Sequence, residues 1–186
     1  MPQPKENFYT ASEYYDYVAK LPENVLTELI NGQIVNMASP SIIHQTIVTE
    51  VATEINIYIR KNKGKCSVKV APTDVQIDDK NVVIPDIFIA CNPDKFDKQK
   101  YNGSPDFIIE VVSGNYKDDY VRKLALYEKS GVREYWIVDP KKERVVVYFF
   151  EETDCINIFT FNDDIPVGIY KNNPVPLTLN IAELIK

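Results

Sequence analysis

The alternation of apolar and polar residues near the start of the chain predicts a short helix followed by a β-hairpin. Thr10-Ala-Ser-Glu13 has the form of a capping box that opens a helix, and Leu21-Pro22 would end it. In VLTELINGQIVNMA, two alternating segments flank Asn31-Gly32, a dipeptide favoured in two-residue hairpin turns. We therefore expect a helix–hairpin unit over residues 8–38.

Apolar residues at helical spacing predict two further helices. Ser41 can cap the first, Lys63-Gly64 would end it, and its buried stripe would be Ile43, Ile47, Val51, Ile55 and Tyr58. The second would run from about Asp118 to Lys129 and stop at Gly131. Its buried stripe would be Tyr120, Val121, Leu124 and Tyr127.

Five apolar segments have the character of strands: CSVKVAPTDVQI, NVVIPDIFIAC, PDFIIEVVS, EYWIVDP and RVVVYFF. The last two would form a hairpin, and Trp136 would lie in the core. This order of helices and strands favours an α/β (α+β) sandwich around a mixed sheet flanked by helices. We expect one domain, with its central part over residues 40–150 and a β-rich tail over 151–186. Pro85 cannot donate to a sheet ladder, so it predicts a bulge or an edge just before Asp86.

Composition narrows the class of protein. The 186 residues suit a single domain, and neither a signal peptide nor an apolar run long enough to span a bilayer is present in the sequence. Cys66, Cys91 and Cys155 have no zinc spacing and predict no disulfide framework, which favours a reducing cytoplasm. The net charge of −6 is unusual for a nucleic-acid-binding protein. Positive charge is concentrated over residues 60–65 and 95–100, which are more typical of solvated loops than of a DNA cleft.

The strongest chemical signal is a pair of carboxylates inside apolar segments. Asp86 lies in IPDIFIA, and Glu110 lies in IIEVVS, where a buried strand would otherwise carry an aliphatic residue. Buried carboxylates are costly unless they are paired or bind a metal ion. Two of them on neighbouring strands would repel each other unless a cation lay between them. This arrangement indicates a Mg²⁺ site, and such sites mostly serve phosphoryl chemistry.

Three further residues could assist, although each has a plainer interpretation. Lys123 lies at the border of its helix's buried stripe and could stabilise charge on phosphorus, but spacing alone favours a surface pair with Asp119. Glu28 could be an outer metal ligand, or it could simply face solvent. His44 could contact phosphate or water as a neutral imidazole near a helix N-terminus, or it could make an ordinary first-turn hydrogen bond. Phosphate-binding glycine loops and G-x-S-x-G elbows are absent from the sequence, and one histidine limits hydrolase triads.

The order of these motifs resembles a bacterial restriction endonuclease family, Uma-two, within the PD-(D/E)XK nuclease superfamily. The resemblance extends from about Phe8 to the tail, and it rests on ELINGQIV, a His-Gln pair, IPDIFIA, IIEVVS, K-L-x-L-Y and GVREYWIVDP. It implies a restriction-endonuclease-like fold and Mg²⁺-dependent cleavage of DNA phosphodiesters, with Mn²⁺ as a possible substitute.

The resemblance also implies roles for individual residues. Asp86 is the aspartate of the PD element, Glu110 is the acid of (D/E)XK, and both would bind the metal with Glu28. Val112 occupies the position two after Glu110 where the lysine of that element is expected. The resemblance therefore implies that Lys123, on the following helix, takes the catalytic role of that lysine. His44 and Asp119 also match positions of the family. One departure is that Ser113-Gly114-Asn115 replaces the S-P-S that usually follows the strand.

The leading hypothesis is therefore a metal-dependent DNA endonuclease, for which a homodimer would supply the two sites that duplex cleavage needs. One alternative is a nuclease-fold module that binds nucleic acid or a protein without cutting. Another is a metal-dependent phosphodiesterase acting on RNA or nucleotides. The sequence does not distinguish this last enzyme from the first.

Overall fold

A computed structural model of the chain describes residues 8–113, 116–152 and 156–186, and the side chains of residues 116–121 lie outside that description. The helices are α1 (Ala11–Val18), α2 (Ile42–Lys61), α3 (Tyr116–Ser130) and α4 (Ile181–Leu184). The strands are β1 (Thr27–Ile30), β2 (Gln33–Asn36), β3 (Ser67–Val70), β4 (Asp74–Asp78), β5 (Asn81–Val83), β6 (Ile87–Ala90), β7 (Lys100–Asn102), β8 (Phe107–Val111), β9 (Glu134–Asp139), β10 (Arg144–Phe149), β11 (Ile156–Thr160), β12 (Ile165–Pro166) and β13 (Thr178–Leu179).

Local sequence signals set the ends of these elements as predicted. The Thr10 side chain accepts from the backbone of Glu13, and the Glu13 side chain accepts from the backbone of Thr10, which completes the capping box of α1. Asn31 and Gly32 have φ of 51° and 77°, the left-handed conformation that joins β1 to β2 in a tight hairpin. The Ser41 side chain caps α2 by accepting from the backbone N–H of His44.

The strands form two main sheets. The first has the order β2-β1-β5-β4-β7, and the second has the order β11-β10-β9-β8-β6-β3. In the six-stranded sheet, β8 and β9 are parallel while β9 and β10 form the predicted antiparallel hairpin. The prediction of a mixed sheet is confirmed.

Helices cover both faces of the six-stranded sheet. On one face, Ile47, Val51 and Ile55 of α2 pack in a cluster that includes Ile109 and the fully buried Trp136. On the other face, α3 packs in a second cluster through Leu126 and Tyr127, together with Phe88, Ile108 and Tyr135. Because side chains alternate along a strand, Glu110 shares the α3 face with Ile108.

Two details of the predicted packing are wrong. Ile43 is 42% exposed, because it lies on the solvent side of α2; the buried residues of this helix begin with His44 and continue from Ile47 onward. Pro85 marks neither a bulge nor an edge. It lies in the break between β5 and β6, where the chain leaves the five-stranded sheet and enters the six-stranded one. A residue without an N–H is tolerated there because no ladder bond is required.

The expectation that the cysteines remain unpaired is also wrong for two of them. Cys66 and Cys91 are joined by a disulfide bond. The antiparallel register of β3 and β6 pairs Ser67 with Ala90, so the next positions outward bring these cysteines face to face. Their separation of 25 residues gave no sign of this contact. Cys155 lies outside the described residues.

Candidate metal-dependent active site

Asp86 and Glu110 lie next to each other, as the sequence predicted for two acids on neighbouring strands. The pairing of Ile87 with Ile109 in β6 and β8 places Asp86 opposite Glu110. The Asp86 carboxylate is further held by β8 itself, since the Val111 N–H donates to Oδ2 at 2.7 Å. Asp86 is 8% exposed, and Glu110 is partly buried at the edge of a cavity.

Lys123 joins the acids of the two sheets. Its Nζ donates to Oε1 of Glu110 at 3.0 Å and to Oε1 of Glu28 at 2.9 Å. Glu28 belongs to β1 and Glu110 to β8, so the ammonium bridges the five-stranded and six-stranded sheets. Lys123 is 5% exposed, which rules out the simple surface position suggested by spacing. The Asp119 side chain lies outside the described residues.

Glu28 is buried rather than solvent-facing, with 3% of its surface exposed. Its Oε1 accepts from Lys123 and also from the Ile84 N–H at 2.8 Å. The backbone donor lies in the crossing between the sheets, two residues before Asp86. This arrangement holds the lysine, and the metal-ligand role expected for Glu28 stays a prediction.

Tyr127 is a site residue that the sequence pattern represented only as part of the buried stripe. Its hydroxyl donates to Oε1 of Glu110 at 2.8 Å, and its ring packs edge-on against Tyr135 at 4.9 Å between centroids. Tyr127 and Lys123 are four residues apart, so one face of α3 supplies both donors. The K-L-x-L-Y segment contains this spacing, but nothing in it indicates that the phenol meets a carboxylate.

His44 lies at the start of α2 and contacts the other acid. Its Nε2 is 3.1 Å from Oδ2 of Asp86, and only 5% of the residue is exposed. Burial would lower the pKa of His44, but its contact with Asp86 raises the pKa above the usual value. This direction is opposite to the neutral imidazole expected from the helix N-terminus. Within the part of the chain that is described, Nδ1 is buried without a hydrogen-bond partner.

Charge in this site is unevenly balanced. Burial is the main reason that the pKa of Glu110 rises to about 7; Lys123 opposes the rise, while Asp86 and Glu28 add to it. Burial alone would lower the pKa of Lys123, yet Glu110 and Glu28 hold it above its usual value. Three carboxylates therefore surround one ammonium and one imidazole, and an additional cation would favour their ionised state.

All five predicted residues line one cavity of about 390 Å³. The chemistry of its acids fits Mg²⁺, which prefers oxygen ligands and binds through one or two carboxylates, with water and phosphate filling the other positions. Asp86 and Glu110 supply such a pair. Among the described residues, however, no group of three or more His, Cys, Asp or Glu is arranged to hold a metal ion.

Comparison with known proteins places the chain in a class of nuclease-related proteins. Residues 11–166 match the Uma2 family model, which is described as a putative restriction endonuclease. The chain therefore belongs to the Uma2 family, as the motifs from ELINGQIV to GVREYWIVDP indicated. No curated protein matches this chain.

A solved structure shares the fold. It is a putative nuclease belonging to DUF820 from Anabaena variabilis ATCC 29413, with a TM-score of 0.71 and 23% sequence identity. The match covers 91% of this chain and 96% of that one. The predicted restriction-endonuclease-like fold is thus confirmed.

Among the described helices, none has the length and apolar character needed to cross a bilayer.

Proposed function

We propose that this chain is a Mg²⁺-dependent endonuclease that hydrolyses phosphodiester bonds in DNA. The observation that carries the proposal is the convergence of Asp86, Glu110 and Lys123 in one cavity of a nuclease-family fold. Buried acids that face each other need a positive partner, and family membership makes a nucleic acid the natural substrate class.

Asp86 and Glu110 would hold Mg²⁺, for which Mn²⁺ could substitute. When bound, the ion would polarise a phosphoryl oxygen and lower the pKa of a water molecule. Lys123 would stabilise negative charge that develops on the phosphate. Glu28 and Tyr127 hold this lysine and Glu110 in position, and His44 orients Asp86 through its Nε2.

Supercoiled plasmid offers a direct assay, because one cut converts it to the open circle. We expect wild type to nick it with Mg²⁺ or Mn²⁺ and to lose activity with a chelator. Asp86→Asn should abolish nicking, and Lys123→Met should reduce the rate by about 100-fold, the usual effect of removing one charge-stabilising donor. The matched control is Asp16→Asn, which neutralises an exposed acid of α1.

Equal nicking by wild type and Asp86→Asn would contradict this proposal. Calorimetry with Mn²⁺ then separates the remaining functions. DNA binding without saturable Mn²⁺ binding would favour a non-cutting module. Cleavage of RNA or nucleotides in place of DNA would keep the chemistry and change the substrate.

A further inference from the structure

Positive charge is concentrated in one stretch of this acidic chain. The protein has a net charge of −6, yet residues 55–73 contain no Asp or Glu. This stretch carries five basic residues, and all of them are exposed: Arg60, Lys61, Lys63, Lys65 and Lys69. Among the residues that the structure describes, no carboxylate forms an ion pair with any of the five. We call residues 60–69 the basic segment.

The basic segment leads to the active-site cavity. It covers the end of α2 and most of β3, which is the edge strand of the six-stranded sheet. Directly after β3, the Ala71 N–H donates to the backbone carbonyl of Asp86 at 3.2 Å, and both Ala71 and Pro72 line the cavity. An extended chain from Lys65 to Ala71 spans about 20 Å, which is the length of about six nucleotides of a DNA duplex.

Two of the five basic residues have a plainer role. Arg60 and Lys61 lie in the last turn of α2, where positive charge stabilises the helix dipole. Lys63, Lys65 and Lys69 lie beyond the helix. The helix end therefore does not account for these three lysines.

Lys63 has a backbone conformation that lysine does not favour. Its φ is 52°, in the left-handed region. Its N–H donates to the carbonyl of Arg60 at 3.2 Å, and the Gly64 N–H donates to that of Ile59 at 2.8 Å. These bonds form a Schellman motif, in which the left-handed position is usually glycine and sometimes asparagine. A side chain that is kept in such a conformation is a candidate for a functional role.

The other positive segment of the sequence, residues 95–100, borders the same surface. Lys69 Nζ lies 5.4 Å from the centre of the Phe96 ring, and Lys95 Nζ lies 5.9 Å from that of Tyr101. The two rings are 4.7 Å apart. This loop also carries Asp94 and Asp97, so the basic segment supplies most of the net positive charge of the surface.

We propose that the basic segment binds the phosphate backbone of the nucleic acid, several nucleotides away from the phosphate that is cut in the cavity. This inference rests on the proposed nuclease function. Contacts between lysines and phosphates release the counterions of DNA, which makes such binding favourable at low salt. Because the rest of the chain is acidic, this surface would also orient the approaching polyanion.

Binding is tested in an Asp86→Asn background, so that the DNA stays intact. Fluorescence anisotropy with a labelled duplex is measured over a series of salt concentrations. We expect Lys63→Asn combined with Lys65→Gln to weaken binding by roughly 10- to 100-fold at about 0.1 M salt. The slope of log affinity against log salt concentration should become less steep by about 2, since two phosphate contacts are lost.

The matched control is Lys20→Gln combined with Lys80→Gln. It removes the same charge from exposed positions after α1 and in the turn between β4 and β5. This pair should leave the salt slope unchanged. An unchanged slope in the Lys63 and Lys65 variant, or an equal change in the control, would overturn the inference.

Urea unfolding separates lost binding from lost folding. Asparagine is tolerated in the left-handed position, so Lys63→Asn should keep or raise the urea midpoint while binding becomes weaker. Vesicles that contain phosphatidylserine test the alternative anionic partner, a membrane surface. Reduced vesicle binding by the Lys63 and Lys65 variant, with unchanged DNA binding, would assign the basic segment to a membrane and overturn the inference.

These outcomes also separate this inference from the proposed function. DNA binding that depends on Lys63 and Lys65, in a protein that cuts with neither Mg²⁺ nor Mn²⁺, would retain this surface and reject the nuclease. Metal-dependent nicking that is the same in wild type and in the Lys63 and Lys65 variant at every salt concentration would do the reverse.

Discussion

At the scale of single residues, the site depends on how one carboxylate is held. Both donors of α3 reach the same oxygen of Glu110: the Tyr127 hydroxyl at 2.8 Å and the Lys123 ammonium at 3.0 Å. Burial raises the pKa of Tyr127 well above its usual value, so the phenol keeps its proton and remains a donor. Because both donors bond Oε1 of Glu110, its other oxygen, Oε2, is the one that remains to bind a ligand in the cavity.

Tyr127→Phe tests this arrangement, because it removes the hydroxyl and keeps the ring against Tyr135. We expect Mn²⁺ affinity to fall by roughly 10-fold, the usual effect of removing a group that orients a metal ligand. Stability should fall by about 1–2 kcal/mol, since Glu110 loses a buried hydrogen bond. Calorimetry and urea unfolding measure the two effects.

The matched control for this variant is Tyr170→Phe. Tyr170 is buried at 7% exposure, and its hydroxyl has no hydrogen-bond partner within the described ranges. Its removal should leave Mn²⁺ affinity unchanged. Equal metal binding by Tyr127→Phe and wild type would show that the phenol does not orient Glu110.

Glu110 should also make stability depend on pH. Its folded pKa of about 7 lies above the ordinary 4.5, so the folded state holds a proton that the unfolded state releases. Stability contributed by this proton is present at low pH and lost as pH rises through about 7. His44, whose pKa is also raised, acts in the same direction. Urea unfolding of wild type should show lower stability at pH 8 than at about pH 5.

Glu110→Gln isolates the contribution of this carboxyl from that of His44. The variant should lose part of the decline with rising pH, because it has no proton to release at this position. An identical pH dependence in both proteins would mean that Glu110 titrates near its ordinary value.

At the scale of elements, two left-handed glycines end or join the structures around the site. Gly32 turns the hairpin whose first strand carries Glu28, and Gly131 follows α3, which carries Lys123. Their φ values are 77° and 87°. A Cβ at position 32 would lie 2.9 Å from the Phe8 Cβ, whereas one at position 131 would meet nothing within 4 Å.

These surroundings predict different costs for the same substitution. Gly131→Ala should destabilise the protein by about 1–2 kcal/mol, the cost of a left-handed conformation in a residue with a Cβ. Gly32→Ala should cost more, because Phe8 must also move. Urea unfolding of the two variants measures the free energy of unfolding that each loses. Equal losses would show that the Phe8 contact does not contribute to the cost of Gly32→Ala.

At the scale of the whole molecule, the site forms where the two sheets meet. The chain crosses between them over residues 84–86, which contribute the N–H of Ile84 to Glu28 and the carboxylate of Asp86 to the cavity. Lys123 adds a bridge from Glu28 in one sheet to Glu110 in the other. A ligand bound here contacts groups that come together only in the folded chain.

Metal binding should therefore stabilise the entire fold. Mn²⁺ at 100 times its dissociation constant would add about 2.7 kcal/mol, which corresponds to a rise of about 5–10 °C in the melting temperature. Thermal melts with and without Mn²⁺ measure the shift. Asp86→Asn should abolish it and Asp16→Asn should retain it. A similar shift in both variants would place the ion elsewhere.

Sequence alone determined the features that depend on neighbouring residues. The capping box at Thr10, the turn at Asn31-Gly32, the Ser41 cap and the apolar periods follow from interactions within a few positions, and they predicted the three longest helices, the first hairpin and the mixed-sheet class. They did not predict that two of the apolar segments, CSVKVAPTDVQI and NVVIPDIFIAC, each divide into two strands of different sheets. Asp86 and Glu110 could be predicted as site residues because a carboxylate inside an aliphatic strand is energetically costly unless it is paired or binds a metal ion. Family resemblance, rather than spacing, led to Lys123.

Tertiary structure decided what depends on distant partners. Glu28 and Lys123 are 95 positions apart, and the pairing of Cys66 with Cys91 depends on strand register. The part played by Tyr127 depends on which oxygen its hydroxyl reaches. Periodicity specifies the face on which a side chain lies, but the partner it meets is set by how sheets and helices pack, and that packing is a property of the whole chain.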